Sequence, residues 1–164
     1  MSAALAAGWG FVLDADAAGR APGWRAELEA WAVRTVRQPF AWGQNDCAML
    51  AVEAVGLQQG VDVAAAYRGQ WASDLGAQRY QLRHGITLAN ALERAGCRRI
   101  EAAVAQEGDI LTVEAGPYVC GHVLFGARCL SSRPDTGVVW VKSADVFAQP
   151  GLAVYTARRV EALS

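Results

Sequence analysis

At 164 residues, with 53% hydrophobic and 19% charged side chains, the chain is long enough for one domain with a real core and too apolar for disorder. A formal net charge of -1 without a basic stripe excludes the phosphate-neutralising surface of a nucleic-acid binder. No apolar run is long enough to span a membrane.

The opening residues Ala3 to Leu13 are apolar but lack a basic leader and meet Asp14 and Asp16, so a secretory signal is not expected. The expectation is therefore synthesis in the cytoplasm, with delivery elsewhere needing another route. Residues 14 to 23, ending Ala21-Pro22-Gly23, read as a loop. From Trp24 to Arg37 the positions Leu28, Trp31, Ala32 and Val36 recur at helical spacing, and Pro39 stops the run.

The chain is organised around Phe40-Ala41-Trp42-Gly43-Gln44-Asn45-Asp46-Cys47-Ala48-Met49-Leu50, an aromatic, glycine-bearing loop that enters an apolar helix. Asn45 or Asp46 can cap that helix, Cys47, Leu50, Ala51, Ala54 and Leu57 follow at helical spacing, and Gly56 or Gly60 can end it. Cys47 then sits in the first turn, where free amides and the helix dipole favour a thiolate. The neighbouring Asp46 opposes this unless its charge is turned into those amides. The same pattern also suits a buried, inert cysteine.

Val61 to Gly85 reads as short helical pieces interrupted by Gly69 and Gly76, with Tyr67, Arg68, Trp71 and Tyr80 as either cleft lining or ordinary packing. Thr87 looks like the cap of a helix through Arg94, closed by Gly96. From Arg99 onward the expected strands are Ile110 to Val113, Tyr118 to Phe125, Arg128 to Leu130, Val138 to Val141 and Leu152 to Tyr155, joined by short turns as an antiparallel meander. Helices first and a sheet after make an α+β layout, read as a single domain over 1–164 with an extension (1–22), a helical part (23–96) and a β-sheet part (97–164). Period two places Tyr118, Cys120, His122 and Leu124 on one face of their strand. His84 and His122 are the two histidines able to serve as a base.

Cys47, Cys97, Cys120 and Cys129 show no Cys-x-x-Cys pair and no zinc spacing, so the expectation is reduced thiols, no metal and no cofactor. Open alternatives are a Cys120–Cys129 disulfide across a hairpin and a cluster completed by a partner's ligand.

Trp42-Gly43 followed by Asp46-Cys47 at the head of an apolar helix resembles the nucleophile segment of the NlpC-type cell-wall peptidases, papain-like cysteine enzymes acting on peptidoglycan stem peptides. The short spacing Phe-x-Trp-Gly-x-x-Asp-Cys is similar to the phage-borne branch associated with tail tips. Gly108-Asp109-Ile110-Leu111 resembles the family's Gly-Asp-Leu-Val strand opening, and His122-Val123 its His-Val strand. The resemblance implies a papain-like fold with Cys47 as nucleophile, His122 as base, and Trp42, Gly43 and Asp46 around substrate and oxyanion. It also implies a stem-peptide substrate, tail-tip or hub proteins as partners, and a place in the virion tail tip.

This chain departs from the family at Ala48, where serine is usual, and at Phe40, where tyrosine is common. For the third residue that orients the histidine, the following strand offers only Ser131 and Ser132. Three functions follow: a tail-tip cysteine peptidase, which leads; a tail-tip structural component keeping the scaffold; and a cellular hydrolase or transferase of the same fold.

Overall fold

The computed structural model describes residues 19–159, so the apolar stretch 3–13 and most of the 1–22 extension lie outside it. Within these residues the chain is mixed α+β, with five α-helices and a six-stranded antiparallel sheet.

The first helix, α1 (Trp24–Thr35), is shorter than its periodicity suggests. Val36 turns to extended backbone and Arg37 to a φ of 74°, because this segment runs along the far edge of the sheet. There the Arg37 N–H donates to the Val138 carbonyl at 2.7 Å, and the Val138 N–H to the Gln38 carbonyl at 2.9 Å. A tertiary strand contact thus ends the helix before Pro39 does.

Helix α2 (Cys47–Gln59) is the central element, capped by Asp46 and ended by Gly60 at a φ of 74°. Gly56 lies inside it, where a side chain would meet the Val61 carbonyl at 2.4 Å. A 3-10 turn (Val63–Ala66) follows, and then α3 (Asp74–His84), a single helix where the glycines suggested fragments. Ser73 caps α3 by accepting the Gly76 N–H, so this glycine belongs to the first turn and does not break the run. Helix α4 (Leu88–Arg94) has the expected Thr87 cap.

The strands are β1 (Arg98–Ile100), β2 (Ile110–Ala115), β3 (Tyr118–Phe125), β4 (Arg128–Arg133), β5 (Gly137–Lys142) and β6 (Ala153–Thr156). Strands β2 to β5 form the expected meander, but the sheet order is β1-β6-β2-β3-β4-β5. The last strand therefore does not extend the meander beyond β5. A short helix, α5 (Ser143–Phe147), carries the chain back across the sheet, and β6 pairs with both β2 and β1. Neither β1 nor α5 has a sequence signal strong enough to stand out, since three and five residues carry no readable period.

One face of the sheet packs on α2, through Leu50, Ala51, Ala54, Ile110, Val123, Leu130, Val138 and Tyr155, with α1 behind through Leu28 and Trp31. The other face carries a smaller core of Leu111, Val113, Leu124, Cys129 and Val154 under Val146 of α5. Each strand from β2 to β4 alternates between these two cores, so a side chain's parity decides which one it joins. No described helix is long and apolar enough to cross a membrane.

Candidate functional site

Asp46 organises the loop in front of α2. Its Oδ1 accepts the Met49 N–H at 2.9 Å as the helix cap. Its Oδ2 accepts the Gly43 N–H at 2.8 Å and the Trp71 indole N–H at 2.7 Å. The carboxylate is buried and its charge is spent on these donors, which is the arrangement that relieves Cys47 of part of the like-charge penalty. Asn45 braces the same loop, accepting the Ala41 N–H and donating to the Pro39 carbonyl. Gly43 has a φ of 74°, and a side chain there would meet the Trp71 carbonyl at 2.0 Å. Of the residues assigned to substrate and oxyanion, Gly43 and Asp46 thus build the loop: the Gly43 amide is engaged by Asp46. Trp42 packs edge-on against Phe40 and near Tyr118, where it forms part of a cavity wall.

That cavity has a volume of about 420 Å³. It is bounded by α2, α3, α4 and β3, with aromatic walls from Trp42, Tyr67, Trp71, Tyr80 and Tyr118. The three aromatic residues of the 61–85 segment, Tyr67, Trp71 and Tyr80, therefore line the cavity, and Tyr67 and Trp71 also pack on the main core. Two carboxylates border it. Asp46 is saturated as above, and Asp74 accepts from Gln78 at 3.0 Å and from the Tyr118 hydroxyl, which ties α3 to β3.

Cys47 and Cys120 both line the cavity and are half-buried. Close approach of β3 to α2 brings them together: at Gly121 a side chain would meet Ala51 Cβ at 2.8 Å and the Cys47 carbonyl at 3.1 Å. The two thiols influence each other's ionisation, and they titrate as a pair. The influence of Cys47, with help from Arg133, draws Cys120 down to about 7 against the opposing effect of burial. The influence of Cys120, burial and nearby Asp46 hold the Cys47 proton well above the usual thiol range.

His122 lies on the same β3 face as Cys120, the one turned to the smaller core. Its register partner on β2 is Leu111 and its neighbour on β4 is Ser131, both on the side of the smaller core. Its Nδ1 is bonded to Ser131 Oγ, so of the two serines named from the sequence it is Ser131 that meets the ring. Ser132 faces the other way and donates to the Asn45 carbonyl. Burial, and then the Arg133 charge, lower the imidazole pKa to about 4, so the ring is neutral at ordinary pH. His122 is absent from the cavity lining. His84 ends α3 and packs on Tyr80 at 4.4 Å.

All four cysteines are free thiols. The alternative Cys120–Cys129 bridge does not form, because register pairs Cys129 with Leu124 and Cys120 with Val113. Burial lifts both Cys97 and Cys129 to about 12. Sequence reasoning placed Cys120 on a face with His122 but had no signal linking it to Cys47, since that contact spans the helix–sheet interface.

No curated protein and no solved structure matches the chain. A family model does match, over residues 19–149. The chain belongs to the family described as Domain of unknown function (DUF6950).

Proposed function

We propose that this chain is an NlpC-related, papain-like domain of a phage tail tip that uses its aromatic cavity to hold a peptide segment of a neighbouring tail protein, as a structural component. The observation that carries this reading is the surroundings of His122. Gly121 faces α2 at the cysteine, while His122 turns to the opposite core and bonds Ser131. His122 does not line the cavity to which Cys47 opens, and its ring nitrogen is committed to Ser131. A raised Cys47 thiol paired to another thiol also lacks the thiolate character of a peptidase nucleophile. The tail-tip setting and the peptide ligand rest on the resemblance around Trp42-Gly43 and Asp46-Cys47.

A second reading, a cysteine peptidase cutting peptidoglycan stem peptides with Cys47 and His122, is favoured by one observation. Ser131 holds Nδ1 of His122, as an orienting residue should. Iodoacetamide alkylation separates the two. The structural reading expects Cys47 labelling at about pH 6 to be slow and unchanged in His122→Ala, with intact muropeptides after prolonged incubation. Rapid labelling lost in that variant, together with stem-peptide cleavage, would establish the peptidase instead.

A further inference from the structure

We propose that Cys47 and Cys120 form a redox site: a dithiol that exchanges with a low-molecular-weight disulfide and closes to an internal disulfide on the cavity floor. This goes beyond the tail-tip reading and does not rest on it, since it concerns two side chains of the cavity whatever the cavity holds.

Three features of the fold point to it. Cys47 and Cys120 line the same cavity, and no side chain stands between their elements, because a side chain at Gly121, next to Cys120, would meet the Cys47 carbonyl at 3.1 Å. Both open to the cavity, which gives a small disulfide a way in. Cys97 and Cys129, by contrast, are 3% and 0% exposed and do not line the cavity, so they are poor competitors. The asymmetry of the pair also assigns the order of events. Cys120 is the more readily ionised thiol, with Arg133 near it, and Cys47 is the deeper proton holder.

In the first step the Cys120 thiolate attacks one sulfur of glutathione disulfide. The new Cys120–glutathione bond forms as the old S–S bond breaks, and one glutathione thiolate leaves. In the second, Cys47 gives up its proton and attacks the Cys120 sulfur, which expels the second glutathione thiolate and forms the Cys47–Cys120 bond. Two electrons pass from the dithiol to the glutathione disulfide, and the two thiol protons end on the two glutathione molecules or in solvent. The exchange runs backward with excess glutathione, and closing the bond removes the Cys47 thiol from the cavity.

The test incubates the whole chain with excess glutathione disulfide at neutral pH, blocks remaining thiols with N-ethylmaleimide under denaturing conditions, and maps the peptides by mass. The expected result is loss of two of the four reactive thiols, with one linked species joining the Cys47 and Cys120 peptides. It should reopen on treatment with reduced glutathione. In Cys47→Ser the reaction should stop at a stable glutathione adduct on Cys120. The proposal is overturned if the wild-type chain keeps all four thiols, if the linked peptides contain Cys97 or Cys129, or if adducts build up on Cys120 of the wild-type chain without closing.

Discussion

At the scale of single residues, His122 couples the site to pH. Its ring is neutral in the fold down to about pH 4, whereas the unfolded chain takes up the proton near 6.5. Between these values the unfolded state binds more protons, so stability is full above 6.5 and falls as pH drops towards 4. The loss is at most about 3 kcal/mol for a shift of this size. Urea midpoints measured from pH 7.5 to 4 should fall more steeply in the wild type than in His122→Gln, which has no proton to gain; parallel slopes would remove His122 from the account. Asp46 acts by geometry instead. Asp46→Ala removes the cap of α2 and strands the Gly43 and Trp71 donors, a loss of about 3 kcal/mol when cap and buried donors are taken together. Equilibrium unfolding of that variant, compared with a surface control such as Asp135→Ala, measures it.

Between elements, the decisive contact is α2 on β3. Helix α2 is apolar along most of its length, but its approach to the strand is set by the missing side chain at Gly121. A methyl group there meets Ala51 Cβ at 2.8 Å and Leu88 Cδ2 at 3.0 Å, so helix and strand must move apart. Gly121→Ala is expected to cost about 1–3 kcal/mol and to weaken the coupling of Cys47 to Cys120. Titrating the thiols by their ultraviolet thiolate absorbance would show it: the low first step near 7 should move up towards an ordinary thiol value. An unchanged titration would mean that the glycine does not control the pair.

On the scale of the whole molecule, Asp109 closes the fold. It is fully buried at the start of β2 and is gripped by Arg20 at 3.2 Å and Arg158 at 3.0 Å, one from before the first helix and one from after the last strand. Arg20 also donates to Gln58 of α2 and to the Glu107 carbonyl, and burial lowers its pKa to about 10. Asp109→Asn leaves two largely buried guanidinium groups without their counter-charge, and the expected loss is about 3–5 kcal/mol. Calorimetry should show a single transition at lower temperature. A variant as stable as the wild type would mean that solvent satisfies both arginines.

Local chemistry made much of this molecule readable in the chain itself. The Thr87 cap and the β2 to β5 meander depend on neighbours in sequence and their residue types declare them, while for α2 the sequence narrowed the cap to Asn45 or Asp46 and the end to Gly56 or Gly60, of which the fold uses Asp46 and Gly60. The alternation of β3 likewise put Cys120 and His122 on one face from sequence alone. What the chain could not declare was which face would meet α2, because parity is a relative property until the sheet docks on a helix. That choice followed from Gly121 and the surrounding core, and it turned Cys120 and His122 together towards the smaller core, where His122 meets Ser131. The place of β6 beside β2 and the grip of both arginines on Asp109 were also decided only in three dimensions, by contacts between segments too distant in sequence to leave a local pattern.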